Sequence, residues 1–488
     1  MEQYNNKQLK KSTFDGIFWK LSERVCAQLV SMIVSIILAR ILVPDDYSVV
    51  GIVFIFFSFC NVIVTSGLNT SLIQKKDADM LDYSTVLYTT LGISAVLYAV
   101  MFFAADWIAQ VYQKELLVPI IRVMSVTFFI NSVKSVLSAY TSSHLQFKKF
   151  FFSTIIGTVI SAVVGISMAY AGCGAWALVA QEMINSFIDT LILLYSVRMK
   201  LQWAFSLKRL KHLFGYGWKI FVSSLVSVIY TQLNPLIVGL KFTAADLAFY
   251  NRGSSFPNLI NTSVSDTLSS VLFPVMAKVQ DDRENVLNMT RRYIKLSTYV
   301  IFPMMMGIFS VSENFVRVVL TEKWLAAVPY IQIFSLAYMF DMIMIGNLQA
   351  IKAIGRSDLV LKMEILKKSI YFVVIFLFVF TAPSPEILAV SSLVCTLVAL
   401  VINTYPNRKL IDYHYQYQIM DVFPNLLITV LMGLCVLAVG RFPFSVVPLL
   451  AIQIFAGVVS YIGLSILFRN DNFFYLLDFL KAYLKKEV

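Results

Sequence analysis

Eight ionisable side chains interrupt otherwise apolar stretches of this 488-residue sequence: Glu23, Arg24, Lys134, Glu182, Asp189, Arg252, Asp266 and Asp341. A charge in hydrocarbon costs at least ~2.5 kcal/mol at mid-bilayer on insertion scales, so such a group faces a partner or an aqueous cavity. The three cations suit clustered negative charge. A guanidinium is planar, permanently protonated and matched to phosphate oxygens, which makes Arg24 and Arg252 candidate anion ligands, with Lys134 as a third. Among the five carboxylates, Asp189 and Asp341 fall nearest mid-span and are candidates for proton or sodium coupling, with Glu182 and Asp266 beside them. Structural roles compete with these. Arg24, roughly 10 Å into its helix at 1.5 Å per residue, can snorkel to headgroups, and the acids can be hydrogen-bonded packing groups. Glu23 adjoins Arg24, but neighbours on a helix point about 100° apart, so a partner on another helix competes with Arg24.

Uncharged polar residues extend these points into faces. Gln28, Ser31 and Ser35 follow Arg24 at intervals of 4, 3 and 4, one side of an α-helix. In YNRGSSFPNLINTSVSDTLSS (250–270), Asn251, Ser254, Ser255, Asn258, Asn261, Thr262, Ser265 and Ser269 recur every three or four residues beside Arg252. A stripe of that length against lipid leaves many groups unpaired, so the spacing predicts a wet cavity wall; interhelical packing through Ser and Asn is the alternative. Pro257, inside the stripe, is a candidate hinge.

The elements that position these residues follow from composition. With 58% hydrophobic and 14% charged residues and a mean hydropathy of +0.75, the chain cannot bury its apolar surface in one soluble core and reads as a polytopic membrane protein. Fourteen segments of roughly 20 or more apolar residues can be placed, among them 17–43, 247–275 and 359–380. Of the 40 Lys and Arg, thirty fall at the N-terminus, after even-numbered spans or in the C-terminal tail. Seven lie toward the opposite side and three, Arg24, Lys134 and Arg252, deeper inside spans. That bias predicts cytoplasmic termini, and the net charge of +12 is topogenic rather than a nucleic-acid signature. Segments 201–215 and 473–488 mix Leu, Phe and Trp or Tyr with Lys and Arg at helical spacing, as interfacial helices on an anionic leaflet do.

Several chemistries lack their residues. The five cysteines form no CxxC pair and the three histidines have no partner at metal spacing, so neither disulfide nor metal chemistry is indicated. No Walker loop or nucleophile elbow is present, and Gly215 with Gly217 is too little for phosphate binding. No cofactor, catalysis or ATP hydrolysis is expected. A glycan polymerase or ligase would need an extended outer loop, and the outer connections are short.

The chain echoes itself at an offset near 200. FDGIFWK (14–20) answers to FGYGWK (214–219), and LVPDDYSVV (42–50) to FTAADLAFY (242–250). Six spans separate the copies, so the repeat is parallel, about an axis along the membrane normal. The expected architecture is all-α: two six-helix lobes, 1–200 and 216–405, an amphipathic linker at 201–215, and an added helix pair with its tail at 406–488.

ILARILVPDDYSVVGIV (37–53), SGLNTSLIQ (66–74) and IVGLKFTAADLAFYNRG (237–253) resemble the polysaccharide-transporter (Wzx and WzxC-type) branch of the multidrug/oligosaccharidyl-lipid/polysaccharide exporter superfamily. The likeness spans nearly the whole chain, and A-R-x-L-x-P-x-D-Y at 39–47 is its most specific element. Ser48 departs from the glycine usual there, which would make a turn less permissive. The resemblance implies a MATE/MurJ-like fold in the bacterial inner membrane. It further implies a flippase moving polyprenyl-pyrophosphate-linked oligosaccharide by alternating access for O-antigen, capsule or exopolysaccharide. Such flippases place cavity arginines on the first and eighth helices, where Arg24 and Arg252 fall. Implied partners are that lipid-linked glycan, membrane lipids, H+ or Na+, and polysaccharide polymerase machinery. A cation-coupled multidrug or metabolite antiporter of the same fold is the rival reading, and its cationic substrates would favour the acids over the arginines.

Overall fold

Backbone groups in hydrocarbon have no water to bond, so long apolar runs close their hydrogen bonds internally as helices. A computed structural model describes residues 2–484 except 66, 76, 145, 198, 200, 201 and 279–281; side chains at 2–18, 20, 21, 216, 266–275, 277, 278, 357, 479, 480 and 482–484 also lie outside the described set. Among the described residues there are helices and no strand, and twelve helices are long and apolar enough to cross a membrane. The protein is a multi-pass membrane protein.

The chain divides into two compact units. The first, Met1–Ala248, contains α1 (Glu2–Ile41), α2 (Pro44–Thr65), α3 (Leu68–Gln74), α4 (Met80–Tyr112), α5 (Leu117–Met124), α6 (Thr127–Ser143), α7 (Phe147–Tyr170), α8 (Ala175–Val197) and α9 (Leu207–Lys241). The second, Phe249–Val488, takes most of α10 (Ala244–Lys278), then α11 (Arg283–Phe315), α12 (Val328–Met339), α13 (Asp341–Ala353), α14 (Ser357–Thr381), α15 (Pro385–Thr404), α16 (Asn407–Leu410), α17 (Tyr415–Val439), α18 (Val446–Leu467) and α19 (Asp471–Leu484). Two of the fourteen expected spans, within α10 and α14, are not among the twelve. Both are long helices, of 35 and 25 residues, but α10 carries the polar stripe, and the first half of α14 carries Lys362, Glu364, Lys367 and Lys368.

The two echoed turns at 42–50 and 242–250 begin their helices with the same contact. The Val43 amide donates to Asp46 Oδ2 at 3.1 Å as α2 begins, and two hundred residues on the Thr243 amide donates to Asp246 Oδ2 at 3.0 Å as α10 begins. An acid in the first turn satisfies a backbone donor ahead of the helix and complements its dipole. Thr243 closes the second copy from both sides, since its hydroxyl also accepts from the Asp246 amide at 3.2 Å. Ser48 is not in the turn, as the sequence suggested, but inside α2, fully buried. Its hydroxyl donates to the Asp45 carbonyl at 2.6 Å and accepts from Lys114 Nζ at 3.1 Å, while Lys114 also pairs with Asp45. A hydroxyl therefore has work there that a glycine could not do.

The 201–215 segment departs from expectation. Residues 202–206 are non-helical, and the helix begins at Leu207, capped by Ser206, then continues through Gly215 and Gly217 into the seventh span without a break. That span packs inside the first unit, on α2, α3 and α4. The contact is as close as glycine allows: a Cβ on Gly217 would sit 2.8 Å from the Gly67 carbonyl oxygen, and one on Gly67, at φ +84°, 2.7 Å from the Gly217 oxygen. Ser71 Oγ donates across the same contact to the Leu213 carbonyl at 2.9 Å. Arg209 pairs with Asp79, whose carboxyl is thereby held down at about 2, and reaches Asp82 at 3.2 Å. The expected tail helix does form, as α19, with 485–488 outside the described residues.

Candidate functional site

In the first unit, α6 packs on α8 and brings together two residues that the sequence put forward separately. Lys134 Nζ lies 2.7 Å from Asp189 Oδ2, the lysine side chain 35% exposed and the aspartate 5%. A buried carboxylate beside one ammonium is compensated in charge but not necessarily in hydrogen bonds. Asp189 Oδ1 and, one turn earlier on the same face, Asn185 Oδ1 are buried acceptors with no hydrogen-bond partner. Half-buried Glu182 precedes Asp189 by seven residues, two turns along that face. On the neighbouring turn of α6, the Asn131 amide donates to Asn61 Oδ1 of α2 at 2.9 Å. The unit thus holds a polar seam through three helices.

On α1, Arg24 and Ser31 are exposed while Gln28 and Ser35 are half-buried. Glu23 faces the other way, toward α7, where Thr154 Oγ1 donates to its Oε1 at 3.3 Å. The two adjacent charges therefore serve different faces. Lys20, which would continue the stripe, has its side chain outside the described residues.

In the second unit, the α10 stripe resolves into two lines. Asn251, Ser255, Asn258 and Thr262, at steps of 4, 3 and 4, run from half-buried to exposed. Asn261 and Ser265 are buried. The Asn261 amide donates to Asp341 Oδ2 at 2.5 Å and its carbonyl accepts from Ser265 Oγ at 3.1 Å, tying α10 to the first turn of α13. Several hydroxyls bond their own helix, as Ser255 does to the Arg252 carbonyl at 2.8 Å. Arg252 itself is 7% exposed, its guanidinium carbon 5.1 Å from the ring centroid of buried Trp324, a cation over an aromatic face. The helix runs unbroken through Pro257, and the side chain of Asp266 lies outside the described residues.

Sequence reasoning missed a second polar centre. Asp421, 2% exposed in its side chain, receives Arg291 Nε and the second guanidinium nitrogen at 2.7 and 2.8 Å, Lys295 Nζ at 3.1 Å and the Tyr413 hydroxyl at 2.8 Å. Burial and the adjacent carboxylate push the Tyr413 phenol up. Asp421 stands one residue before the apolar run 422–440, so counting charges inside spans passed over it. Below this centre, α11, α17, α18 and α19 enclose an apolar groove of about 620 Å³, its wall including Met304, Ile308, Val436, Ile454, Val458 and Leu477. No group of three or more His, Cys, Asp or Glu suited to a metal ion occurs among the described residues.

The chain is similar to known proteins in sequence and in fold. The pattern of a family described as polysaccharide biosynthesis protein matches residues 37–329. The teichuronic acid biosynthesis protein TuaB of Bacillus subtilis is 24% identical over 93% of this chain and 95% of that protein. The lipopolysaccharide biosynthesis protein WzxC of Escherichia coli is 23% identical over 74% of each chain. The succinoglycan biosynthesis transport protein ExoT of Rhizobium meliloti is 24% identical over 62% of this chain and 61% of its own. In fold, the chain is similar to an inward closed lipid II flippase MurJ, with TM-score 0.75 and 15% identity over 93% of this chain and 99% of that one. It is also similar to an inward-facing multidrug resistance MATE family transporter of the MOP superfamily, with TM-score 0.60 and 15% identity over 79% and 94%.

Proposed function

The chain belongs to the family of polysaccharide biosynthesis proteins, and from that footing we propose that it is a flippase. Its cargo is a polyprenyl-pyrophosphate-linked oligosaccharide, carried across the bacterial inner membrane for surface polysaccharide assembly, with both termini in the cytoplasm. The observation that carries this reading is the match to relatives named for polysaccharide biosynthesis and transport, one of them along 93% of the chain. The protein acts as a transporter rather than an enzyme.

Three physical requirements of such a cargo have counterparts in the chain. The pyrophosphate needs cations: exposed Arg24 meets it first, and Arg252 and Lys134 add positive charge within the membrane, with Gln28, Asn251, Ser255 and Asn258 solvating the glycan while buried Asn261 holds α10 to Asp341. The polyprenyl chain needs a continuous apolar path, for which the 620 Å³ groove of the last helices is suited. Exchange of access between two repeat-related lobes, 1–200 and 216–405, needs a two-state element, for which Pro257 supplies a hinge. Ion coupling engages Asp189, Asp341, Glu182 and Asp266. Asp189 and Asn185 offer two unpartnered buried oxygens, and a proton or Na+ there competes with Lys134 for the carboxylate.

Disrupting the gene in its host tests the proposal: lipid-linked glycan should accumulate in the inner leaflet while surface polysaccharide is lost. Normal polysaccharide, with altered drug sensitivity instead, would favour the antiporter reading, which rests on the excess of embedded carboxylates over cations.

A further inference from the structure

At the end of the second unit that the proposed orientation puts on the cytoplasmic side, on which the inference rests, two adjoining recesses of about 430 and 370 Å³ open between α11, α17 and the α18–α19 turn, sharing Lys295, Asp471 and Asn472. Four cations, Arg291, Arg292, Lys295 and Arg469, line them against two carboxylates, Asp421 and Asp471. Two positive charges are left over. Asp421 is consumed by Arg291, Lys295 and Tyr413, whereas Arg292 and Arg469 are exposed at the rim, with Arg292 stacked 3.9 Å from the Tyr475 ring centroid.

The rim is built rather than incidental. Arg469 holds a left-handed backbone at φ +48°, strain that persists only where surroundings fix it. The end of α18 fixes it, the Asn470 amide closing on the Ser465 carbonyl at 2.9 Å, and Asn425 holds the turn that follows: its Oδ1 accepts from Asn470 and Asn472 at 3.0 and 3.1 Å while its amide donates to the Lys295 carbonyl and Thr298 Oγ1 at 2.9 and 3.0 Å. One asparagine thus locks the turn to α11 and α17. Beneath the cations the floor is apolar and open: Met420, Phe423 and Phe468 are 68%, 55% and 50% exposed.

Surplus cations at the interface above an open apolar surface complement one chemistry. We propose that this recess binds the phosphodiester of an anionic glycerophospholipid, with Arg292, Arg469 and Lys295 on the phosphate and the acyl chains descending over Met420 and Phe423. Bound there, the lipid fastens α19 and the last helix pair to the inner leaflet. The site is independent of the transport cavity and of which glycan is carried.

Thermal unfolding of the full chain in neutral detergent, titrated with dioctanoyl-phosphatidylglycerol, dioctanoyl-phosphatidylcholine or inorganic phosphate, tests this. A ligand that binds only the folded state raises the midpoint with its concentration. Phosphatidylglycerol should stabilise the wild type, and the other two should not. Its apparent affinity should fall about tenfold or more in Arg292→Gln/Arg469→Gln, the loss expected from two partly screened charge-assisted contacts, with the lipid-free midpoint unchanged. If that variant fails to fold, wild type in rising salt decides, since screening must weaken phosphatidylglycerol binding. Equal stabilisation by phosphatidylcholine, stabilisation by phosphate alone, or salt-insensitive binding would each overturn the proposal.

Discussion

The Lys134–Asp189 pair makes an asymmetric prediction. Asp189 is 5% exposed and has a second oxygen without a partner, whereas Lys134 is 35% exposed. Lys134→Met therefore strands a buried carboxylate and should cost about 3 kcal/mol, the low end for breaking a buried pair. Asp189→Leu strands only an ammonium that water can already reach, and should cost about 1 kcal/mol. Lys134→Met/Asp189→Leu leaves neither charge behind and should also cost about 1 kcal/mol, because apolar replacement of a whole pair is near neutral apart from fit. The double-mutant cycle then gives an interaction energy of about −3 kcal/mol. Reversible unfolding in mixed micelles, followed by helical circular dichroism, measures all four proteins under one condition. Costs that add to within about 0.5 kcal/mol, or an Asp189→Leu cost above that of Lys134→Met, would refute the pairing and its burial.

Further outcomes follow from the same geometry. Gly217→Leu should destabilise by about 2 kcal/mol or more through overpacking against Gly67, measured in the same unfolding assay, with Gly215→Leu, whose Cβ meets nothing within 4 Å, nearly silent. Asp46→Ala and Asp246→Ala should each cost about 1 kcal/mol, a lost helix-start hydrogen bond, and matched losses would support the repeat. Asp79 sits at about 2 against an ordinary 3.8, mainly through Arg209. A depressed folded value means that its stabilisation is complete above the ordinary value and is lost as pH falls through about 2. The melting midpoint should therefore drop more steeply between about pH 4 and pH 2 in wild type than in Arg209→Ala, though modestly, since Asp79 is half exposed. Ile454→Trp, filling the apolar groove, should reduce translocation of lipid-linked glycan in vesicles while leaving the fold intact.

Helical class and membrane placement were legible because hydrophobic runs are local signals. Two short echoes suggest a repeat, and at one of them the hydrogen bonds at Val43 and Thr243 show the same helix start. Other features depend on which helices meet, and no local pattern carries that. Lys134 and Asp189 are 55 positions apart, so no local pattern shows that they pair with each other. The α10 stripe looked uniform by spacing, yet packing on α13 buries Asn261 and Ser265 and leaves Ser255 and Asn258 exposed. The composition of 201–215 changes at the span and so suggests a separate interfacial helix, but backbone continuity ignores that boundary.

Translocation itself gives the most direct test. Purified protein is reconstituted into vesicles carrying a fluorescent polyprenyl-pyrophosphate oligosaccharide, and the fraction of headgroups exposed to a membrane-impermeant quencher is followed over time. The account predicts that protein-containing vesicles expose the protected pool while empty ones do not, and that Arg24→Gln/Arg252→Gln slows this without changing the amount of folded protein. Exposure no faster than in empty vesicles would contradict the flippase assignment, and an undiminished rate in the double variant would contradict the role given to its arginines.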